Sequence, residues 1–352
     1  MSDDRAPVLL QVCANDHPPF ADICRYHAAG AALLSWRTVT VMLEARGAAA
    51  DPAFAYPAGS FADCLNRLLR GREPVFTLCH RYRAYRAAVT SGVIRGPVVA
   101  VAHEFGLLRR RRRRWQRRWD AVLRHPPVTF AGVSDAVRDE LAHITGDAVL
   151  LPNGIDLARA DAARLSREAA LATLDLSAGN FTIGVVGRLH RKKNPELAVA
   201  GFAAAAADMP DARLVFVGDG ELADQVRQRA GALPITLAGF VPDAARVMAA
   251  FDLLLVSSGE REAFGMVALE AMAAGVPVLC GPAPGPRFVV GDAGRHFEAD
   301  SPAELAQALV AAYREWCAGG LPGLAQRARA RAEREFSVTA AAGRLEALAV
   351  SQ

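Results

Sequence analysis

Two cations and two carboxylates near the ends of candidate strands carry the first chemistry legible in this chain. In 187-GRLHRKKN-194, Arg188 directly follows the apolar run 181-FTIGVVG-187, and Lys193 comes five residues later. The chain has 41 Lys plus Arg, of which two are lysines, and both lysines, Lys192 and Lys193, sit in this stretch. Behind them 194-NPELAVAGF-202 reads as a helix start, with Asn194 as cap and Pro195 and Glu196 in the first turn. Two cations above a helix N-terminus attract an anion, because backbone N–H groups, helix dipole and side chains all favour negative charge. A guanidinium grips two phosphate oxygens at once, and an ammonium adds a compact point charge. That set suits a diphosphate. A solvated basic loop is the competing reading of the stretch by itself.

The second stretch is 262-EAFGMVALE-270, where Glu262 and Glu270 stand eight apart. Phe264, Gly265, Met266 and Val267 would form the turn and first helical residues after the run 252-DLLLVSS-258. Unpaired first-turn amides would then point out of the strand end. Glu270, a turn deeper, could accept hydrogen bonds from two ribose hydroxyls, and Glu262, on the loop, could reach a sugar hydroxyl. Two surface glutamates with no role remain the alternative. A third feature is His103, which ends the run 97-PVVAVAH-103 and could hydrogen-bond a substrate hydroxyl; a capping or core histidine is the alternative. Glu104, beside it, orients the loop or is simply solvated.

The segment 107-LLRRRRRRWQRRWD-120 is different in kind. It places Arg109, Arg110, Arg111, Arg112, Arg113 and Arg114 in succession, followed by Trp115, Arg117, Arg118 and Trp119. Six successive arginines spread around a helix and do not make a clean amphipathic face. Arg stems snorkel while Trp rings suit the headgroup level, so peripheral attachment to anionic lipid is expected, at about 1 kcal/mol per basic residue. A phosphorylated acceptor is a second reading, and a merely charged exposed helix a third. Nucleic acid is not expected as a partner, since no reading module accompanies the charge.

These stretches need elements to position them. Short apolar runs alternate with helical patterns throughout: 7–14, 38–43, 75–80, 97–103, 128–134 and 148–153, then 181–187, 213–218, 235–241, 252–258 and 276–281. Near-continuous apolar strands separated by helices imply parallel sheets covered on both faces. The expectation is α/β: two Rossmann-like doubly wound domains facing an interdomain cleft, 1–156 and 157–330, with a helix over 331–352 that crosses back to the first domain. Asp135 reads as a helix cap and Gly146 as a stop. In such sheets ligands bind outside the carboxyl ends of the strands. The stretches above all lie at such ends.

Composition narrows the classes. A length of 352 residues exceeds one ordinary core, and 52% hydrophobic with 22% charged is a globular balance. Net charge is +4, with the first 155 residues at +7 and the rest at −3, which suggests an anionic partner for the first half. The six cysteines form no C-x-x-C pair or Cys/His cluster in the sequence, so neither a zinc site nor a disulfide framework is expected. The acidic N-terminus does not read as a signal peptide, and no apolar segment reaches the roughly 18 residues of a spanning helix. A cytoplasmic chain, peripheral at the inner face of the membrane, is expected.

The run GRLHRKKN, then 217-VGDGEL-222, then 239-GFVPD-243, then the two glutamates followed by EAMAAGVPVLC, resembles the nucleotide-binding domain of retaining glycosyltransferases of family 4, with the GT-B fold. The resemblance covers roughly 180–310, and 151-LPNGID-156 is similar to the family's interdomain segment. It implies that Arg188 and Lys193 hold the donor diphosphate, that Glu262 lies by the donor sugar and that Glu270 binds the ribose. It further implies that backbone at Phe264, Gly265, Met266 and Val267 contacts sugar and phosphate, that backbone at Phe240 and Val241 borders the base, and that His103 lies near the transferring carbon. The first domain departs from the family. In place of a glycine-rich loop it has 14-ANDHPPFAD-22, where Asn15, Asp16 or His17 could approach donor or acceptor, and Arg287 stands where the family often has an acidic residue.

The implied activity is retaining transfer of a sugar from a nucleotide diphosphate sugar to a hydroxyl of a glycan or glycolipid, in bacterial lipopolysaccharide or envelope polysaccharide synthesis. No cofactor and no metal is expected: there is no D-x-D pair, and the cations can stabilise the departing diphosphate themselves. The alternatives are a degenerate, membrane-associated nucleotide-binding protein of the same fold and a nucleotide-sugar epimerase. A pyridoxal phosphorylase is disfavoured with two adjacent lysines as the only candidates, and a dehydrogenase by the lack of G-x-G-x-x-G after a first strand.

Overall fold

The computed structural model describes residues 5–16, 19–45, 51–109, 113 and 126–351. The chain divides into two compact units, 1–154 with 337–352, and 155–336.

The first unit contains β1 (Val8–Cys13), β2 (Arg37–Met42), β3 (Phe76–His80), β4 (Val98–Ala102), β5 (Val128–Gly132) and β6 (Val149–Leu150). They form one parallel sheet in the order β2-β1-β3-β4-β5-β6. β1, β3 and β4 are buried at every position, which explains their unbroken apolar sequence: helices cover both faces. The order reverses between β1 and β3. That reversal opens a crevice at their carboxyl ends, the usual seat of a ligand in such sheets.

The second unit contains β7 (Phe181–Val186), β8 (Ala212–Val217), β9 (Ile235–Gly239), β10 (Leu253–Val256), β11 (Val278–Cys280) and β12 (Arg295–His296). The order is β12-β11-β10-β7-β8-β9, and every pair is parallel. Its reversal lies between β7 and β10. Phe181, Ile183, Phe202, Phe216 and Leu305 pack its core, all fully buried.

Two expectations need correction. The tail is two helices and not one over 331–352, although its last helix does group with the first unit. Leu321–Phe336 belongs to the second unit and Val338–Ser351 to the first, and the break falls at Ser337, whose hydroxyl accepts from Ala340 N at 3.3 Å and starts the last helix. That last helix packs on Phe20–Leu33 so closely that a Cβ at Gly30 would lie 2.9 Å from Ala341 Cβ. The cap of the helix Asp135–Thr145 is Ser134, extended at φ −145, not Asp135. The two-residue strand β12 carries too little apolar pattern to read in advance.

Candidate active site

In the second unit the turn after β7 is shaped by glycines. Gly187 has φ 135 and Gly218 φ 140, and a Cβ on Gly218 would lie 2.0 Å from Gly187 O. A Cβ on Gly220 would lie 2.4 Å from Leu189 O. The run 217–222 therefore seats the 187–190 turn backbone to backbone, and Leu189 N donates to Asp219 O at 3.0 Å. Arg188 leaves this turn exposed, without an ion pair or side-chain hydrogen bond among the described residues.

Lys193 ends a short 3-10 turn, Arg191–Lys193, and Asn194 follows it in the left-handed region at φ 46, capping the helix Pro195–Ala205. The end of β10 fixes that turn. Ser257 Oγ donates to Lys193 O at 2.9 Å, and Gly259 N donates to Lys192 O at 2.9 Å. Lys192 itself is exposed. Lys193 Nζ lies 2.9 Å from Glu262 Oε2, with the side chains 28% and 18% exposed. The structure thus brings together the two residues expected at diphosphate and sugar, at the β7/β10 reversal.

The backbone around Glu262 has no slack. Gly285 N donates to Glu262 O at 3.1 Å, and a Cβ on Gly285 would lie 2.3 Å from Phe264 N. Gly265, at φ 96, is the cap of the helix Met266–Ala273. The side chain of Phe264 is core: it is buried and meets the Phe336 ring edge-on at 5.8 Å. Only its backbone is available to a ligand. Met266, Val267 and Glu270 are half-buried on the first turns. At the end of β9, Gly239 has φ 72 and Gly218 N donates to its carbonyl at 2.7 Å. Phe240 stands beyond it 76% exposed, with Val241 half-buried. Arg287 is structural: Nε donates to Gly281 O at 3.0 Å and Nη2 to Phe297 O at 2.7 Å, tying down the loop after β11.

The first unit carries a pocket of about 340 Å³ whose lining includes Asn15, Arg81, Arg83, His103, Glu104 and Arg113. Asn15 is buried at the end of β1, and Asp16 accepts from the Tyr56 hydroxyl at 2.8 Å. His17 lies outside the described residues. Arg81, the residue after β3, sits at φ 78, a costly backbone for a side chain of this size, and holds its guanidinium 4.8 Å above the Phe20 ring and 3.9 Å from Glu104. Arg113 stacks 4.5 Å over Tyr82, and Arg109 approaches Glu140 at 3.9 Å. Arg110, Arg111, Arg112, Arg114, Trp115, Arg117, Arg118 and Trp119 lie outside the described residues.

His103 does not stand alone. Its Nε2 is 3.0 Å from His80 Nδ1, and His80 Nε2 is 3.3 Å from Gln11 Oε1. His27, His80 and His103 form a file with ring centroids 5.5 and 5.2 Å apart. Burial pushes His27 down to about 4 and His103 down to about 3, and holds His80 well below its ordinary value, with neighbouring imidazoles adding to the depression of His80 and His103. All three are neutral at pH 7. Sequence reading missed His27 and His80. One signal was present: the adjacent strands 75-VFTLCH-80 and 97-PVVAVAH-103 both run apolar into a terminal histidine.

Elsewhere, Cys280 Sγ contacts His296 Nδ1 at 3.2 Å, a pairing invisible at a sequence distance of 16. The other cysteines are buried in the first unit except Cys317, which is exposed. Among the described residues no three His, Cys, Asp or Glu are grouped so as to hold a metal ion, and no helix is long and apolar enough to cross a membrane.

Residues 180–315 match the model of the family described as glycosyl transferases group 1. That match lies wholly within the second unit. The GDP-mannose-dependent alpha-(1-6)-phosphatidylinositol dimannoside mannosyltransferase of Mycobacterium tuberculosis is 36% identical over 96 residues, 26% of this chain and 25% of that protein. The phosphatidyl-myo-inositol mannosyltransferase of Mycolicibacterium smegmatis is 33% identical over 190 residues, 51% of this chain and 46% of that protein. The chain thus spans a quarter to about half of the length of the curated relatives it matches. Among solved structures, a glycosyltransferase from Rickettsia africae superposes with TM-score 0.79 at 14% identity, over 99% of this chain and 98% of that one. Anabaena Alr3699/HepE in complex with UDP-glucose superposes at 0.72 and 21%, over 98% and 100%. At such identities the likeness is one of fold, and the fold is GT-B.

Proposed function

We propose that this chain is a glycosyltransferase that moves a sugar from a nucleotide diphosphate sugar to a hydroxyl acceptor, with retention at the anomeric carbon and without a metal. The observation that carries the reading is the Lys193–Glu262 pair, 2.9 Å apart at the β7/β10 reversal of a group 1 domain. The chemical demand is a diphosphate that gains negative charge as the glycosidic bond lengthens. Arg188 is free to meet it. Lys193 donates one hydrogen bond to Glu262 and keeps two N–H donors for phosphate oxygens. The amides of Met266 and Val267 open the next helix and add fixed donors. Glu262 would bind a sugar hydroxyl, Glu270 the ribose, and Phe240 the base through its exposed ring.

The pocket of the first unit is the proposed place for the sugar-bearing acceptor. Its arginines favour an acceptor with an anionic group, in keeping with the phosphatidylinositol in the names of the relatives, and the arginine run favours an anionic membrane surface. These features support a role at the inner face of the cytoplasmic membrane, in envelope glycan or glycolipid synthesis. The sequence relatives make GDP-mannose the first donor to test, with UDP-glucose second. The test is release of nucleoside diphosphate from each donor with and without glycan and phosphoinositide acceptors. One donor consumed in an acceptor-dependent way is expected. Nucleotide binding with neither transfer nor hydrolysis across all acceptors would instead make the chain a non-catalytic binder of the same fold.

A further inference from the structure

The file of imidazoles in the first unit has a direction that can be worked out from its inner end. Gln11 is fully buried on β1, and its Nε2 donates to Cys24 O at 2.9 Å and to Thr40 Oγ1 at 3.1 Å. A carbonyl oxygen only accepts, so the amide group facing Cys24 is the NH2, and the atom facing His80 is the oxygen. That oxygen also only accepts. His80 Nε2, 3.3 Å from it, therefore carries a proton. His80 is buried and neutral, so its Nδ1 is bare. His103 Nε2, 3.0 Å away, must donate to it. A neutral His103 then has a bare Nδ1, and that atom is buried without a partner.

We propose that Gln11 and His80 are positioning residues that lock His103 as the Nε2–H tautomer, so that it meets a substrate hydroxyl as an acceptor through Nδ1 and never as a donor. The tautomer stands on the hydrogen-bond file together with the burial that keeps both rings neutral; the role toward a hydroxyl rests on the reading of the pocket as the place of a sugar-bearing substrate. Depressed basicity agrees with it, because a neutral ring can hold one direction of bonding along the file. Asn153, whose Oδ1 is also buried without a partner, is the neighbour beside His103 that a bound hydroxyl would engage next.

The first experiment needs no substrate. In full-length protein with ¹⁵N-labelled histidine, His80 and His103 should both show a protonated Nε2 and a bare Nδ1 at pH 7. A protonated Nδ1 on His103, or a mixture, overturns the proposal. The second uses Gln11→Glu. A carboxylate in place of the amide favours a second proton on His80, whose Nδ1–H then donates to His103 Nε2 and inverts the His103 tautomer two hydrogen bonds away. A merely structural change at Gln11 would not produce that inversion. In the transfer assay the same variant should lose about tenfold or more in kcat with little change in donor KM. Inversion without a fall in kcat overturns the hydroxyl role. If Gln11→Glu does not fold, the wild-type spectrum still decides the tautomer, and Gln11→Met, which removes the acceptor, should leave His103 as a tautomer mixture. Absence of any transfer by the wild type would count against the proposed function and leave the tautomer result standing.

Discussion

At the end of β7 the chain turns on glycines, with Arg188 exposed and Lys193 partly so; at the end of β3 it turns on a strained Arg81, with His80 buried and His103, after β4, partly buried against it. Both places lie at the reversal of a six-stranded parallel sheet. The second unit spends backbone freedom to bring loops within van der Waals reach of one another, and leaves charge at the rim for an anion. The first unit buries neutral, directional hydrogen-bonding groups, which suit hydroxyls better than phosphate. The comparison teaches that strand-end placement and side-chain material are set separately: the fold provides the crevice, and burial decides whether it reads charge or hydrogen-bond direction.

The comparison can be broken most sharply at Lys193. Lys193→Ala should cut transfer by about 10²–10³-fold, roughly 3–4 kcal/mol, since it removes a donor aimed at developing charge. Folding should be unaffected, because the side chain is partly exposed and only its backbone carbonyl holds Ser257. Acid should separate the two units next. The folded values of His27 and His103 lie below their unfolded values, so the unfolded state binds more protons as pH falls below about 6.5. Stability is then full above that pH and lost as pH falls toward about 4. At pH 5 His27 alone should cost about 2 kcal/mol, read as an earlier urea midpoint for the first unit. His27→Phe should flatten that slope.

A smaller effect is expected at Phe240. Its replacement by Ala should weaken nucleotide binding by about 1–2 kcal/mol, as loss of a stacking face does, with no loss of stability since the ring is 76% exposed. The smallest should come from Glu262→Gln. Releasing Lys193 from a partly buried pair worth about 0.5–1 kcal/mol should tighten nucleoside diphosphate binding two- to fivefold. Transfer should fall in the same variant, and a fall in both would show that Glu262 serves the diphosphate and not the sugar.

The strand-end cluster of the second unit was legible because its signals are local. Arg188, Lys193, Asn194 and the first turn of the helix Pro195–Ala205 lie in one continuous stretch, and Gly265 precedes the helix it caps. The longer strands were legible because sheets buried on both faces leave unbroken apolar runs. What stayed hidden depends on contacts across sequence. The Lys193–Glu262 pair spans 69 residues, and the Gln11–His80–His103 file joins three strands. His80 and His27 carry no spacing that marks them as partners. The division of the tail at Ser337 was hidden for another reason: both helices are rich in alanine, and a single serine cap separates them.

Thermal stabilisation of the chain by UDP, GDP, ADP and TDP, with and without EDTA and beside Lys193→Ala, asks whether the second unit holds a diphosphate through Lys193. A nucleotide at a hundredfold its dissociation constant should stabilise the second unit by about 2.7 kcal/mol. One diphosphate should raise the midpoint, EDTA should make no difference, and Lys193→Ala should lose most of the shift. No shift of the wild type with any of the four, or an undiminished shift in Lys193→Ala, would contradict it.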